Sequence, residues 1–204
     1  MSRPKRTWRP DGIYHIVMRG NNRQAIFQHP KDVNAYFRIL SYAFEKYHFE
    51  IYAYCFMSNH VHFLLNSPEV PLGDLMALTN KRYSDFYRRE YDYTGQIYEN
   101  RYFSDEIADP PGLLYVSGYI HRNPIETTKP IVQVMEHYPH SSYQYYFYDK
   151  DSPHPFINLQ FLPSILSAYS LASHHSTHPN KSKAYALYCS ELNIQEKRYQ
   201  SIEE

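Results

Sequence analysis

At 204 residues, with 43% hydrophobic side chains and no net charge, the chain is long enough for one cored domain with an appendage. No apolar run approaches a membrane span, and no apolar stretch follows the basic amino terminus, so a soluble, unexported, cytoplasmic protein is expected. Cys55 and Cys189 are too few and too far apart for a disulfide framework or a cysteine-based zinc site.

Residues 1–23 hold Arg3, Lys5, Arg6, Arg9, Arg19 and Arg23 against the single acid Asp11, a local excess of five positive charges. Trp8, Tyr14 and the Asn21-Asn22 pair are interleaved with them. Charge for phosphates and aromatic faces for unstacked bases are what single-stranded nucleic acid requires, although a solvated tail has a similar composition.

Alternation and β-branching predict a strand from Ile13 to Met18, ended by Gly20 and the Asn21-Asn22 pair. Pro30 and Asp32 then open a helix whose apolar positions are Val33, Tyr36, Phe37, Leu40, Phe44 and Tyr47. Ile51 to Met57 and His60 to Leu65 read as a hairpin joined at Ser58-Asn59. Pro71 opens a second helix through Leu72, Leu75, Met76, Thr79, Tyr83 and Phe86, with Lys81, Arg82, Arg88 and Arg89 elsewhere on its surface. A fourth strand falls between Ile97 and Ile107. The order β-α-β-β-α-β predicts an α+β fold of the ferredoxin-like (split β-α-β) kind, an antiparallel sheet with helices on one face. A further helix is expected over Gly112 to His121, closed by Asn123-Pro124 because proline disfavours continuation. Beyond about Leu162 come a polar link, Ser173 to Asn180, and a short helix, Ala184 to Leu192, forming a C-terminal helical extension.

Two clusters in this plan carry chemistry. His60 and His62 are two apart on a strand and share one face, while Val61, Phe63 and Leu65 share the other. Two imidazoles aimed at one point suit a divalent metal; packed or exposed hairpin histidines have the same spacing. Tyr115, Tyr119 and Asn123 recur every four residues along one helix face. A phenol with an amide oxygen one turn away can complete a site begun by the histidines. Equally, the two tyrosines can pack the helix on the sheet while Asn123 caps its end.

Four segments, taken together, resemble the REP-associated tyrosine transposases, a group within the HUH single-tyrosine transposases and nicking enzymes. They are Tyr14-His15-Ile16-Val17-Met18-Arg19-Gly20-Asn21-Asn22-Arg23, Ala53-Tyr54-Cys55-Phe56-Met57-Ser58-Asn59-His60-Val61-His62, Gly118-Tyr119-Ile120-His121-Arg122-Asn123-Pro124 and Tyr138-Pro139-His140-Ser141-Ser142-Tyr143. The resemblance covers residues 5 to 145. It implies a catalytic domain over residues 1–145, with 146–204 as an extension packed on it or flexibly attached. It also implies Tyr119 as nucleophile, with His60, His62 and Asn123 holding a divalent ion, Mg²⁺ or Mn²⁺. The implied reaction is nicking and rejoining of single-stranded DNA beside a hairpin, through a 5′-phosphotyrosine, by a monomer or homodimer. Arg19, Asn21, Asn22 and Arg23 follow the first strand directly and are expected to read a short DNA sequence, while Arg3, Lys5 and Arg6 add affinity.

Ser58 stands where the family usually has proline, His140 where tryptophan is common, and Ile125-Glu126-Thr127-Thr128 where many relatives carry a basic residue. A tyrosine phenol has an ordinary pKa of about 10, so about one in a thousand is ionised at pH 7, a handicap of about 4 kcal/mol that a dication reduces. Two other readings fit the same element order. One is a non-catalytic module of RRM-like fold that holds RNA on an aromatic sheet face, with Tyr52, Tyr54 and Phe56 alternating on one strand. The other is a metal-dependent hydrolase that uses water in place of tyrosine.

Overall fold

The computed structural model describes residues 7–172 and 179–192. Strands β1 (Ile13–Arg19), β2 (Glu50–Phe56), β3 (His60–Asn66) and β4 (Phe103–Glu106) form one antiparallel sheet in the order β2-β3-β1-β4. Helix α1 (Pro30–Phe44) joins β1 to β2 and helix α2 (Leu72–Glu90) joins β3 to β4. This is the ferredoxin-like arrangement, and β3, which carries the histidine pair, is central.

Alternation on each strand separates two cores. Tyr14, Ile16 and Met18 of β1, with Val61, Phe63 and Leu65 of β3, pack under α1 and α2. The opposite face carries His15 and Val17 of β1 and His60, His62 and Leu64 of β3. That face is not bare. It is covered by α3 (Pro110–Glu126), α4 (Tyr143–Phe147), α5 (Phe161–Ala172) and α6 (Lys181–Glu191), a second helical layer beyond the expected arrangement. No helix of the described residues is long and apolar enough to cross a membrane.

The β2 edge would expose a row of unpaired backbone groups, and the chain covers it from both ends. Phe56 N donates to His140 O (2.9 Å) and Ser142 N to Tyr54 O (3.1 Å), so the Tyr138 to Tyr143 segment acts as an edge seal. Ile51 N donates to Phe156 O (2.8 Å) and Asn158 N to Ile51 O (3.0 Å), which ties residues 156–158 to the same strand. A register shift between Ile51 and Ala53 also separates the three aromatic residues of β2. Tyr52 packs with the α3 layer, whereas Tyr54 and Phe56 pack with α1 and α2. All three are buried, so β2 offers no aromatic platform for stacked bases.

Helix α3 departs from expectation at its end. It runs through Pro124 to Glu126 instead of closing at Asn123. Proline costs most in a helix interior, and here only the final turn follows it. Ile131 N donates to Pro124 O (2.9 Å), which satisfies one of the carbonyls left open at the helix end.

The start of α1 is fixed by a buried carboxylate. Asp32 accepts from Gln28 N (2.8 Å), His29 N (2.9 Å) and the Tyr91 hydroxyl (2.7 and 2.8 Å). Asp32→Ala leaves three donors without their acceptor, and the expected loss of stability is about 3 kcal/mol. Urea unfolding measures it, and a loss below about 1 kcal/mol would refute this role for the carboxylate.

Candidate active site

The connection between β2 and β3 is a tight hairpin closed by Met57 N to His60 O (2.8 Å). Its Ser58 carbonyl accepts from both Ile26 N and Phe27 N (2.8 Å each), so the turn is anchored without proline and the histidines stay in phase. Asn59 joins the turn to the end of β1: its carbonyl accepts from Gly20 N (2.8 Å), and its Nδ2 donates to Arg23 O (3.3 Å). Gly20 is required there by close approach, since a Cβ would sit 2.2 Å from the Gln24 carbonyl oxygen. Asn22 and Arg23 adopt φ of 48° and 57°, uncommon for side-chain-bearing residues, and turn the chain sharply beside Asn59.

These contacts determine which nitrogens are available. With Nδ2 of Asn59 committed to Arg23 O, its Oδ1 faces His60 Nδ1 at 2.7 Å. An amide oxygen only accepts, so Nδ1 of His60 carries the proton and its Nε2 holds a lone pair. Across from that Nε2, at 3.4 Å, stands Oδ1 of Asn123, oriented by the bond from Asn123 Nδ2 to Tyr119 O. Two acceptors face one another. Such a pair gains nothing from direct contact and suits a cation bound by both. His62 Nε2 is buried with no hydrogen-bond partner among the described residues.

Burial lowers the His60 pKa to about 4 and the His62 pKa well below the ordinary imidazole value, with the charge of Arg19 acting in the same direction. Both rings are therefore neutral at pH 7, the form that ligates metals. No group of three or more His, Cys, Asp or Glu side chains suited to a metal occurs among the described residues; the candidate third donor beside the two imidazoles is the Asn123 amide oxygen. Two imidazole nitrogens and an amide oxygen fit a divalent ion.

Tyr119 is buried, with its ring edge-on to His62 (5.6 Å between centroids) and to His15 (6.0 Å). Tyr115, one turn earlier, lines a separate cleft with Ile107, Gly112 and Tyr188. The geometry thus distinguishes two tyrosines that helical spacing leaves equivalent. It also brings in two residues not singled out from the sequence. One is Asn59, read as a turn residue; the other is His15, whose Nε2 lies 3.0 Å from His62 Nδ1.

Arg19 is paired with His60 across β1 and β3, and Asn21, Asn22 and Arg23 continue from it around the same end of the sheet. Among the described residues neither arginine forms an ion pair. Arg9 does, with Glu106 at 2.9 Å, so part of the amino-terminal charge excess is neutralised. Arg3, Lys5 and Arg6 lie outside the described residues.

A family model described as IS200-like transposase matches residues 10–123. Among solved structures, the chain is similar to a REP-associated tyrosine transposase bound to a REP hairpin. The two share 17% identity and a TM-score of 0.60, over 71% of this chain and 84% of that one. No curated protein matches the sequence.

Proposed function

Because the chain belongs to the IS200-like transposase family, we propose that it nicks and rejoins single-stranded DNA at REP-like hairpins by metal-dependent strand transfer through a tyrosine. One observation carries this reading: the Tyr119 ring lies against His62, beside the opposed His60 Nε2 and Asn123 Oδ1. The candidate nucleophile and the candidate metal donors thus lie together on one face of the sheet, which supports this reading.

In this reading His60, His62 and Asn123 hold Mg²⁺ or Mn²⁺. When bound, the ion lowers the cost of ionising a phenol and polarises a phosphoryl oxygen. Tyr119 loses its phenolic proton and attacks phosphorus. The bond from phosphorus to the 3′ oxygen breaks, that oxygen takes up a proton, and the downstream strand stays on the protein as a 5′-phosphotyrosine ester. Attack by another 3′ hydroxyl reverses the step and rejoins DNA. Packing of Tyr119, on α3, against His62 and His15 restricts its ring and so limits the orientations open to the phenol.

The test is an adduct. A hairpin oligonucleotide labelled at its 3′ end, incubated with protein and Mn²⁺, is expected to yield labelled DNA that migrates with the protein under denaturing conditions. Cleavage that releases a free 5′ phosphate with no protein-linked label would instead favour the hydrolase reading.

Substrate contact is expected at Arg19 and Arg23, which flank the His60 end of the sheet without acidic partners among the described residues. Each phosphate contact to single-stranded DNA contributes a slope of about 0.7 in log affinity against log salt. Arg19→Ala/Arg23→Ala should therefore bind more weakly, with a slope shallower by about 1.4. A salt titration by fluorescence anisotropy measures this, and an unchanged slope would exclude both residues as phosphate contacts.

A further inference from the structure

We infer that His15 is a positioning residue: through the 3.0 Å contact between its Nε2 and His62 Nδ1, it fixes the His62 tautomer that leaves Nε2 free for a metal. The inference rests on the reading of His60 and His62 as metal ligands. Between two neutral imidazoles a single proton occupies the contact, so one ring donates and the other accepts. If His15 donated, His62 would carry its own proton on Nε2; if His62 donates, His15 carries its own on Nδ1. Both of those atoms are buried, so the cost of an unsatisfied donor does not choose between the two. A metal at His62 Nε2 would choose, because it needs the lone pair there: His62 then donates from Nδ1 and His15 Nε2 accepts.

The fold holds this relay in place. His15 is fully buried on β1, nearly coplanar with His62 (5.3 Å between centroids, 15° between planes), with Phe103 of β4 edge-on at 6.1 Å and Tyr119 edge-on at 6.0 Å. A partner that orients a ligating histidine is commonly a carboxylate or a backbone carbonyl. Here it is an imidazole, which accepts the bond without bringing an unpaired charge into a closed site. The arrangement parallels His60, whose Nδ1 donates to Asn59 Oδ1. Both candidate ligands thereby present Nε2, one held by a turn amide and the other by a ring from the neighbouring strand.

Imidazole ¹⁵N NMR of the protein with saturating Mg²⁺ is the first test. The expected spectrum has His62 protonated at Nδ1 and His15 unprotonated at Nε2; a proton on His15 Nε2 would overturn the proposal. The second test is Mn²⁺ titration of wild type, His15→Phe and His15→Gln. His15→Phe keeps a ring without an acceptor and should weaken Mn²⁺ binding about 10–100-fold, while the amide oxygen of His15→Gln restores much of it. Wild-type affinity in His15→Phe would overturn the positioning role. If the wild-type protein bound neither Mg²⁺ nor Mn²⁺, the metal reading itself would fall, and the positioning role with it.

Discussion

Tyr119→Phe should abolish strand cleavage, a loss of at least ~10³-fold, while DNA affinity and folding stay close to wild type. The ring is what packs against His62 and His15, at 5.6 and 6.0 Å, and phenylalanine keeps it. Only the oxygen that would form the phosphoester is removed. Tyr115→Phe is the matched control: its ring faces the cleft shared with Tyr188, and its cleavage rate should change by no more than a few-fold. Oligonucleotide cleavage, anisotropy and thermal unfolding on the two variants separate the outcomes. Full cleavage by Tyr119→Phe, or a loss confined to Tyr115→Phe, would reject Tyr119 as the nucleophile.

The features legible in the sequence are those that depend on local periodicity. Two-residue alternation put His60 and His62 on the face opposite Val61, Phe63 and Leu65, and the sheet has that division. Element order was enough for the β2-β3-β1-β4 topology, because a split β-α-β chain with short connections has few ways to close. Spacing on α3 aligned Tyr115, Tyr119 and Asn123 but could not rank the tyrosines. Their difference arises from which of them lies over β1 and β3, and helix docking is a tertiary property.

The residues missed from sequence share one cause. His15 meets His62 only because Val17 pairs with His62 in the β1–β3 register, and register between strands 40 residues apart has no local signature. Asn59 reads as a turn residue, and its role in orienting His60 depends on Arg23, whose carbonyl arrives through the unusual φ at Asn22 and Arg23. Pro124 misled for a different reason. The rule that proline ends a helix describes a preference, and in the last turn, where only two helical residues follow, its cost is small enough to be outweighed by packing. The Tyr138 to Tyr143 segment likewise carries a family resemblance but works in this fold as a cover for the β2 edge, with Tyr138 Oη donating to Phe56 O at 2.6 Å.

Removing either histidine imidazole should be as damaging to cleavage as removing the phenol. His60→Ala takes away the lone pair opposed to Asn123 Oδ1, and His62→Ala takes away the buried Nε2 that has no hydrogen-bond partner among the described residues. Both groups are held neutral by burial, so at pH 7 neither variant removes a charge from the site. On the proposed reading each loses a donor to the ion, and a site with only three protein donors would have little affinity to spare once one is gone. The expected result is loss of Mn²⁺ binding by calorimetry and a fall in cleavage of at least ~10²-fold, alongside retained DNA binding. Wild-type protein treated with excess chelator should show the same inactivity, reversed by Mg²⁺ or Mn²⁺, whereas added metal should not restore the alanine variants. Chelator-resistant cleavage would remove the metal from the mechanism. Wild-type Mn²⁺ affinity in His62→Ala would move the site elsewhere on the chain.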